Sequence, residues 1–327
     1  ESVRRALEHY LDDRIGGNQD MDTRPLGKDG PQVPVMCFGA WGISGIMRSI
    51  SEANAVAVVE AALDAGMTFI DTAEGYGQSE SVIGRVIRGR RDDLFLATKI
   101  SGDQSPEHIQ EAVNNSLKAL GTDHIDLYQL HSHKPEWPIA QTMEHLVRLR
   151  DTGKIRYIGI SNFTVTQVHE AKQYGPIQAV QPLYNMLQRT HGDSLFPWCR
   201  ENGIGVLAYS PLGQGMLTGR YRPGHQFEPG DERSEDRFKV WQGENYERIF
   251  EVAERLREWA EDHGRDIVQL AIAWTLANPA VTSSLVGARS PGQVYHNVKA
   301  ADWRLTEAEL AEIDKIQGDF RLPHEIW

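Results

Sequence analysis

Cysteine is nearly absent from this chain. Its 327 residues include only Cys37 and Cys199, too few for the disulfide framework on which small secreted folds depend. Basic charge is also short: 34 Lys and Arg stand against 46 Asp and Glu, a net charge of −12. Such a surface repels phosphate, so no nucleic-acid partner is expected. No apolar run approaches the roughly 20 residues that span a bilayer, so no membrane partner is expected either. The opening Glu1-Ser2-Val3-Arg4-Arg5 lacks the apolar core of a signal peptide. A soluble, cytoplasmic chain is the expectation. Two phosphate-binding signatures are missing as well. There is no Gly-x-Gly-x-x-Gly turn, Gly39-Ala40-Trp41-Gly42 being the nearest approach, and no Gly-x-x-x-x-Gly-Lys-Ser/Thr loop.

What remains is ordinary globular material, 40% hydrophobic and 24% charged, enough for a large core. At about 150 residues per domain the length suggests two domains. A single α/β barrel of roughly 250 residues, or more with insertions, fits it equally. Residues 1–22 read as an extension. Val3, Leu7, Tyr10 and Leu11 have helical spacing, and Gly16-Gly17-Asn18 would stop that helix. Residues 23–327 read as one domain.

From Thr23 to Val33 the pattern alternates around Asp29-Gly30, a hairpin signal. Short β-rich runs follow at Val35–Ala40, Thr68–Asp71, Leu94–Lys99, Ile125–His131, Tyr157–Ser161, Ala179–Pro182, Val206–Ser210 and Ser284–Ala288. Helical patterns lie between them. One opens at Ser51 and stops at Gly66. Another opens at Ser105-Pro106 and stops at Gly121. Eight strands alternating with helices imply a parallel sheet, and a closed (β/α)8 barrel fits the count directly. Residues 213–245, after the seventh barrel strand, show no clear element and would form a long loop over the barrel's C-terminal face.

In this architecture chemistry sits at the C-terminal ends of the strands. There the sequence places Asp71, Lys99, His131, Ser161-Asn162, Gln181 and Tyr209-Ser210, with Tyr76 soon after strand two. Singly, such residues are most often packing or surface groups. Together they suggest a scheme. An ammonium beside a tyrosine favours phenolate and lowers its pKa. A carboxylate keeps that lysine charged in a dry pocket. The phenol can then protonate an oxygen that gains charge, with histidine polarising it. That set suits carbonyl reduction by a hydride-carrying cofactor. Trp41, Ile43, Met47, Trp137, Phe227 and Trp241 are expected near the mouth as an apolar substrate pocket. Glu74 is expected to shape a polar wall beside them. The His131-x-His133 spacing would suit a metal, but no acidic or cysteine partner clusters with it, and none is expected.

The chain resembles the aldo-keto reductase family from Thr23 to Asp314. The resemblance rests on Gly39-Ala40-Trp41-Gly42, the run Asp71 to Glu80 (DTAEGYGQSE), Leu127–His131 (LYQLH), Ile158–Phe163 (IGISNF), Gln181–Asn185 (QPLYN), Tyr209–Leu217 (YSPLGQGML) and Gly287-Ala288-Arg289-Ser290. It implies a catalytic tetrad of Asp71, Tyr76, Lys99 and His131, with Tyr76 as proton donor. It implies that Ser161, Asn162 and Gln181 meet the nicotinamide carboxamide and that Tyr209 stacks on the ring. Ser210, Leu212 and Gly213 match the pyrophosphate segment, and Gly287, Arg289, Gln293 and Asn297 the adenosine end. It implies NADP(H), less often NAD(H), no metal, and a small carbonyl or alcohol as substrate. Some barrels similar to these are channel-associated subunits that hold cofactor with little turnover. A third reading is a redox-neutral or multi-step reaction on a sugar or similar polyol-type substrate, with NADP kept bound. Of the cations that better-known branches place around the 2′-phosphate, only Arg289 is evident here. The oligomeric state is left open.

Overall fold

The computed structural model describes residues 21–235, 238–320 and 322. The helix expected over residues 1–20 lies outside them. The hairpin comes first, with β1 (Thr23–Pro25) antiparallel to β2 (Gln32–Pro34). Gly30 is required in its turn, since a Cβ there would lie 1.9 Å from the carbonyl oxygen of Leu26. Eight parallel strands then close into a barrel: β3 (Met36–Gly39), β4 (Phe69–Asp71), β5 (Phe95–Ile100), β6 (Ile125–Leu130), β7 (Ile155–Ser161), β8 (Ala179–Gln181), β9 (Gly205–Tyr209) and β10 (Val281–Val286). β10 pairs with β3 to complete the ring. The (β/α)8 barrel is therefore as the strand count implies.

Alternation along the strands decides what fills the barrel. Cys37, Phe69, Ala97, Leu127, Ala179, Leu207 and Leu285 form one inner apolar layer, and Tyr157 packs against it. The next residue on each strand, such as Phe38, Ile70, Tyr128 and Val180, faces outward into the larger core under the helices. Leu26 and Val33 of the hairpin join the inner layer and plug its N-terminal end. Fully burying each such side chain contributes about 1.5–3 kcal/mol.

The helices start where capping chemistry places them. Ser51 caps Glu52–Asp64 by accepting from the Asn54 N–H at 3.3 Å. Ser105 caps Pro106–Leu120 through the His108 N–H at 3.2 Å, and Gly121 ends that helix in the left-handed region. Asp266 caps the almost wholly buried helix Ile267–Ala277. It also meets His296 of the helix Pro291–Val298. The bond to Asp266 raises the His296 pKa. Burial works against the Asp266 carboxylate, yet the bonds from His296 and the Gln269 N–H hold it below its usual range. A raised histidine pKa gives stability that is complete below the unfolded value and is lost as pH rises through the folded one. His296→Gln should therefore lower Tm at pH 5.5 and change it little at pH 9. An equal loss at both pH values would contradict the linkage.

Two sequence expectations change here. The last barrel strand begins at Val281, not Ser284, and ends at Val286 rather than Ala288. Thr282 and Ser283 look like loop residues. However, they sit at a β-bulge against β9, where the Thr282 hydroxyl accepts the Val206 N–H at 3.3 Å. Nor is the loop after β9 featureless. It contains short 3-10 turns at Gly213–Thr218, Glu232–Ser234 and Lys239–Trp241 before the helix Gly243–Asp262. Among the described residues, no helix is long and apolar enough to cross a membrane.

Candidate active site

Two residues beyond the inner apolar layer the same faces carry Gly39, Asp71, Lys99, Gln129, Gly159, Gln181, Tyr209 and Gly287. Period two thus stacks a polar storey directly on the apolar one. Register aligns Lys99, Gln129 and Gly159 directly, while the barrel's stagger sets Asp71 opposite Ala97 and Gln181 opposite Ser161. Asp71, Lys99, Gln129 and Gln181 are all buried. The Lys99 ammonium donates to Asp71 Oδ1, and to the Thr72 carbonyl at 2.9 Å. Asp71 Oδ2 accepts from Gln129 Nε2 at 2.8 Å and from Gln181 Nε2 at 3.0 Å. The carboxylate is therefore paired with one cation and fixed by two amides, which a buried charge requires.

Tyr76 stands above this layer. Its hydroxyl lies 3.4 Å from His131 Nε2, and the Lys99 Nζ is 4.9 Å from the ring centroid. Trp41 packs edge-on against the Tyr76 ring, with centroids 4.7 Å apart. On its other side His131 Nδ1 is 2.8 Å from Ser101 Oγ. Ser101 is held in turn by its N–H, which donates to Glu74 Oε1. The four tetrad positions expected from the sequence are thus in one constellation.

Electrostatics corrects one expectation. Burial raises the Tyr76 pKa above its ordinary value, and Lys99 offsets only part of that. The phenol is therefore fully protonated at neutral pH, rather than lowered toward phenolate. Burial would also depress Lys99, but Asp71 and Tyr76 reverse this and raise it. The His131 pKa is lowered to about 3 by burial and by the charges of Lys99 and Lys134, so its ring is neutral.

The rim residues expected to meet a cofactor form a second set. Ser161 Oγ donates to the Gln181 carbonyl at 2.8 Å, and Asn162 Nδ2 donates to the His131 carbonyl at 2.9 Å. The Tyr209 hydroxyl donates to Asn162 Oδ1 at 2.9 Å. Asn162, Ser210 and Gln214 have positive φ without being glycine. Such strain persists only where the surroundings impose it, and all three lie on this face. The backbone at Leu212 and Gly213 turns tightly there, the Leu212 carbonyl accepting from the Gly215 and Leu217 N–H groups. At the β10 end, Gln293 accepts the Arg289 N–H at 2.7 Å and Asn297 donates to the Gly287 carbonyl at 3.4 Å.

Arg289 departs from its expected role as a free cation. Its guanidinium donates to the carbonyls of Gly42, Arg48 and Ser49 at 2.9, 3.1 and 2.8 Å, clasping the loop after β3. Burial, and then repulsion from Arg48 and Arg233, lower its pKa. Those two cations join Arg289 from distant loops, which no sequence spacing announced.

The expected substrate pocket is brought together only in part. Trp41 is beside Tyr76, and its indole N–H donates to Glu232 at 2.9 Å, joining the β3 and β9 loops. Trp241 is instead buried among Tyr221, Phe227 and Tyr246. Phe227 belongs to the same cluster. Phe227 and Trp241 flank Arg233, which donates two hydrogen bonds to Asp231 in a bidentate ion pair. These aromatics pack the loop onto the larger core under the helices. Trp137 follows β6, with its N–H closing a turn on Lys134 at 3.0 Å. His133 packs on Phe163, and among the described residues no group of three His, Cys, Asp or Glu could hold a metal ion.

Sequence reasoning passed over Gln129 and Ser101. Each lies two residues from a tetrad member on the same strand face, and period two would have found both.

The chain is similar to known proteins over most of its length. A family model described as the aldo/keto reductase family matches residues 35–317. The aldo-keto reductase YhdN of Bacillus subtilis is 35% identical over 90% of this chain and 93% of its own. The NADH-specific methylglyoxal reductase of Escherichia coli is 35% identical over 88% and 96%. Among solved structures, the glycerol dehydrogenase AKR11B4 from Gluconobacter oxydans superposes with a TM-score of 0.82 at 32% identity, over 91% of this chain and 96% of its own. With a match of this length laid over a closed barrel and its polar upper layer, the chain belongs to the aldo/keto reductase family and is an oxidoreductase acting on carbonyls and alcohols.

Proposed function

We propose that the protein reduces an aldehyde or ketone with NADP(H), using Tyr76 as the general acid, or runs the reverse oxidation. The observation that carries this is the buried Lys99–Asp71 pair under a protonated Tyr76 that faces a neutral His131. The cofactor, when bound, supplies a hydride to the carbonyl carbon. Ser161, Asn162 and Gln181 would hold its carboxamide, Tyr209 its ring, the turn at Ser210, Leu212 and Gly213 its pyrophosphate, and Gly287, Gln293 and Asn297 its adenosine end. The residues fit such a group, because amide donors and acceptors sit beside the tetrad at the open end of the barrel.

As negative charge grows on the substrate oxygen, Tyr76 gives up its proton. The phenolate left behind is stabilised by Lys99, which Asp71 keeps ionised. His131 is neutral, so it adds no charge and serves by hydrogen bonding at Nε2. Its orientation depends on Ser101 at Nδ1, so Ser101→Ala should lower kcat several-fold with little change in cofactor affinity.

The positive charge of Arg289, reinforced by Arg48 beside it, supports a preference for the 2′-phosphate of NADP(H), although the Arg289 guanidinium also holds the loop after β3 and Arg233 is neutralised by Asp231. The relative named as NADH-specific makes the point worth measuring. Fluorescence titration should give tighter binding of NADPH than of NADH. Equal binding, or a preference for NADH, would overturn this part of the reading. A panel of aldehydes, ketones and alcohols tested with both cofactors identifies the substrate class.

A further inference from the structure

We propose that Gln129 is a positioning residue that fixes the plane of the Gln181 side-chain amide and thereby selects a cofactor ring bearing a carboxamide NH2. The proposal rests on the reading that Gln181 meets that carboxamide.

The argument begins at Asp71. An ionised carboxylate only accepts hydrogen bonds. The groups 2.8 and 3.0 Å from its Oδ2 must therefore be the NH2 ends of Gln129 and Gln181. This settles the direction of both amides. Gln181 Nε2 also lies 3.1 Å from Gln129 Oε1. Both hydrogens of the Gln181 amide are thus committed, one to Asp71 and one to Gln129. A single bond to Asp71 would act as a hinge about which the amide could turn. The second bond, to Gln129, fixes the plane.

Because the amide is planar, its carbonyl oxygen is directed away from the Asp71–Gln129 pair. An oxygen held this way accepts from an NH2 group and has nothing to offer a methyl ketone of the same shape. Gln129 is itself locked. It is fully buried, and its in-register neighbours are Lys99 and Gly159. A Cβ at Gly159 would lie 2.8 Å from Gln129 Cγ and 3.3 Å from its Oε1. A mid-strand glycine, unfavourable by itself, makes the room that this side chain needs.

The test compares the affinity of the whole protein for NADP with that for its 3-acetylpyridine analogue, in which a methyl ketone replaces the carboxamide. Tryptophan fluorescence reads binding without turnover. Wild type should prefer NADP by roughly three- to tenfold, the usual worth of one neutral hydrogen bond. In Gln129→Met, which fills the same space without polar atoms, the preference should fall to within about twofold of unity. In Gln129→Glu the carboxyl keeps its proton beside Asp71 and repeats both bonds, so the preference should persist. A wild-type preference that survives Gln129→Met overturns the role of Gln129 alone. A wild type with no preference overturns the Gln181 reading beneath it. If the methionine variant fails to fold, loss of the preference in Gln129→Glu still overturns the proposal.

Discussion

Replacing Tyr76 by phenylalanine should lower carbonyl reduction by about 10²–10⁴-fold, the usual contribution of a positioned general acid. Cofactor affinity should stay near its original value, since the ring remains to pack against Trp41. The loss follows from the geometry. The hydroxyl faces His131 across 3.4 Å, and burial keeps it protonated until substrate oxygen draws the proton away. His131 does not replace it as an acid, because its pKa of about 3 leaves that ring neutral. Steady-state rates with a simple aldehyde check the prediction. Undiminished turnover in Tyr76→Phe would remove Tyr76 from its role.

The second large effect concerns the pair beneath it. Lys99→Met should destabilise the fold by about 3–5 kcal/mol, because it leaves the Asp71 carboxylate buried without its cation. Activity should fall with it. The double variant Asp71→Asn, Lys99→Met removes both charges and should recover much of the stability while remaining inactive. Denaturant unfolding of the two single variants and the double one measures the coupling directly. A double variant no more stable than Lys99→Met would show that the pair is not the origin of the loss.

Much of this site is legible from residue order. Asp71, Lys99 and His131 stand where strands end, and polar groups at strand ends of a barrel announce themselves. Tyr76 follows from its place in the loop after β4. The hairpin was legible because Asp29-Gly30 is a local signal. Other features depend on contacts that no local pattern carries. Thr282 and Ser283 read as loop because a bulge hides their pairing with β9. In the described residues between 213 and 241, Arg233 gathers Asp231 next to it with Tyr221, Phe227 and Trp241 from farther along the loop. Chain position alone puts Trp241 near the mouth, whereas its ring is buried among Tyr221, Phe227 and Tyr246. The spacing of Arg289 marks it as a cation, but does not show that its guanidinium also holds the carbonyls of residues 42, 48 and 49. Charge and composition show which groups are available. They do not show which backbone oxygen captures them first.

The hairpin plug has one more consequence. With Leu26 and Val33 closing the lower end and an apolar layer lying above them, the described barrel is a vessel that opens at its C-terminal face. A floor of almost wholly apolar side chains is a poor path for protons. Each one that Tyr76 spends must be replaced by way of the same mouth through which reactants come and go, so recharging the acid has to wait its turn with the traffic at the door.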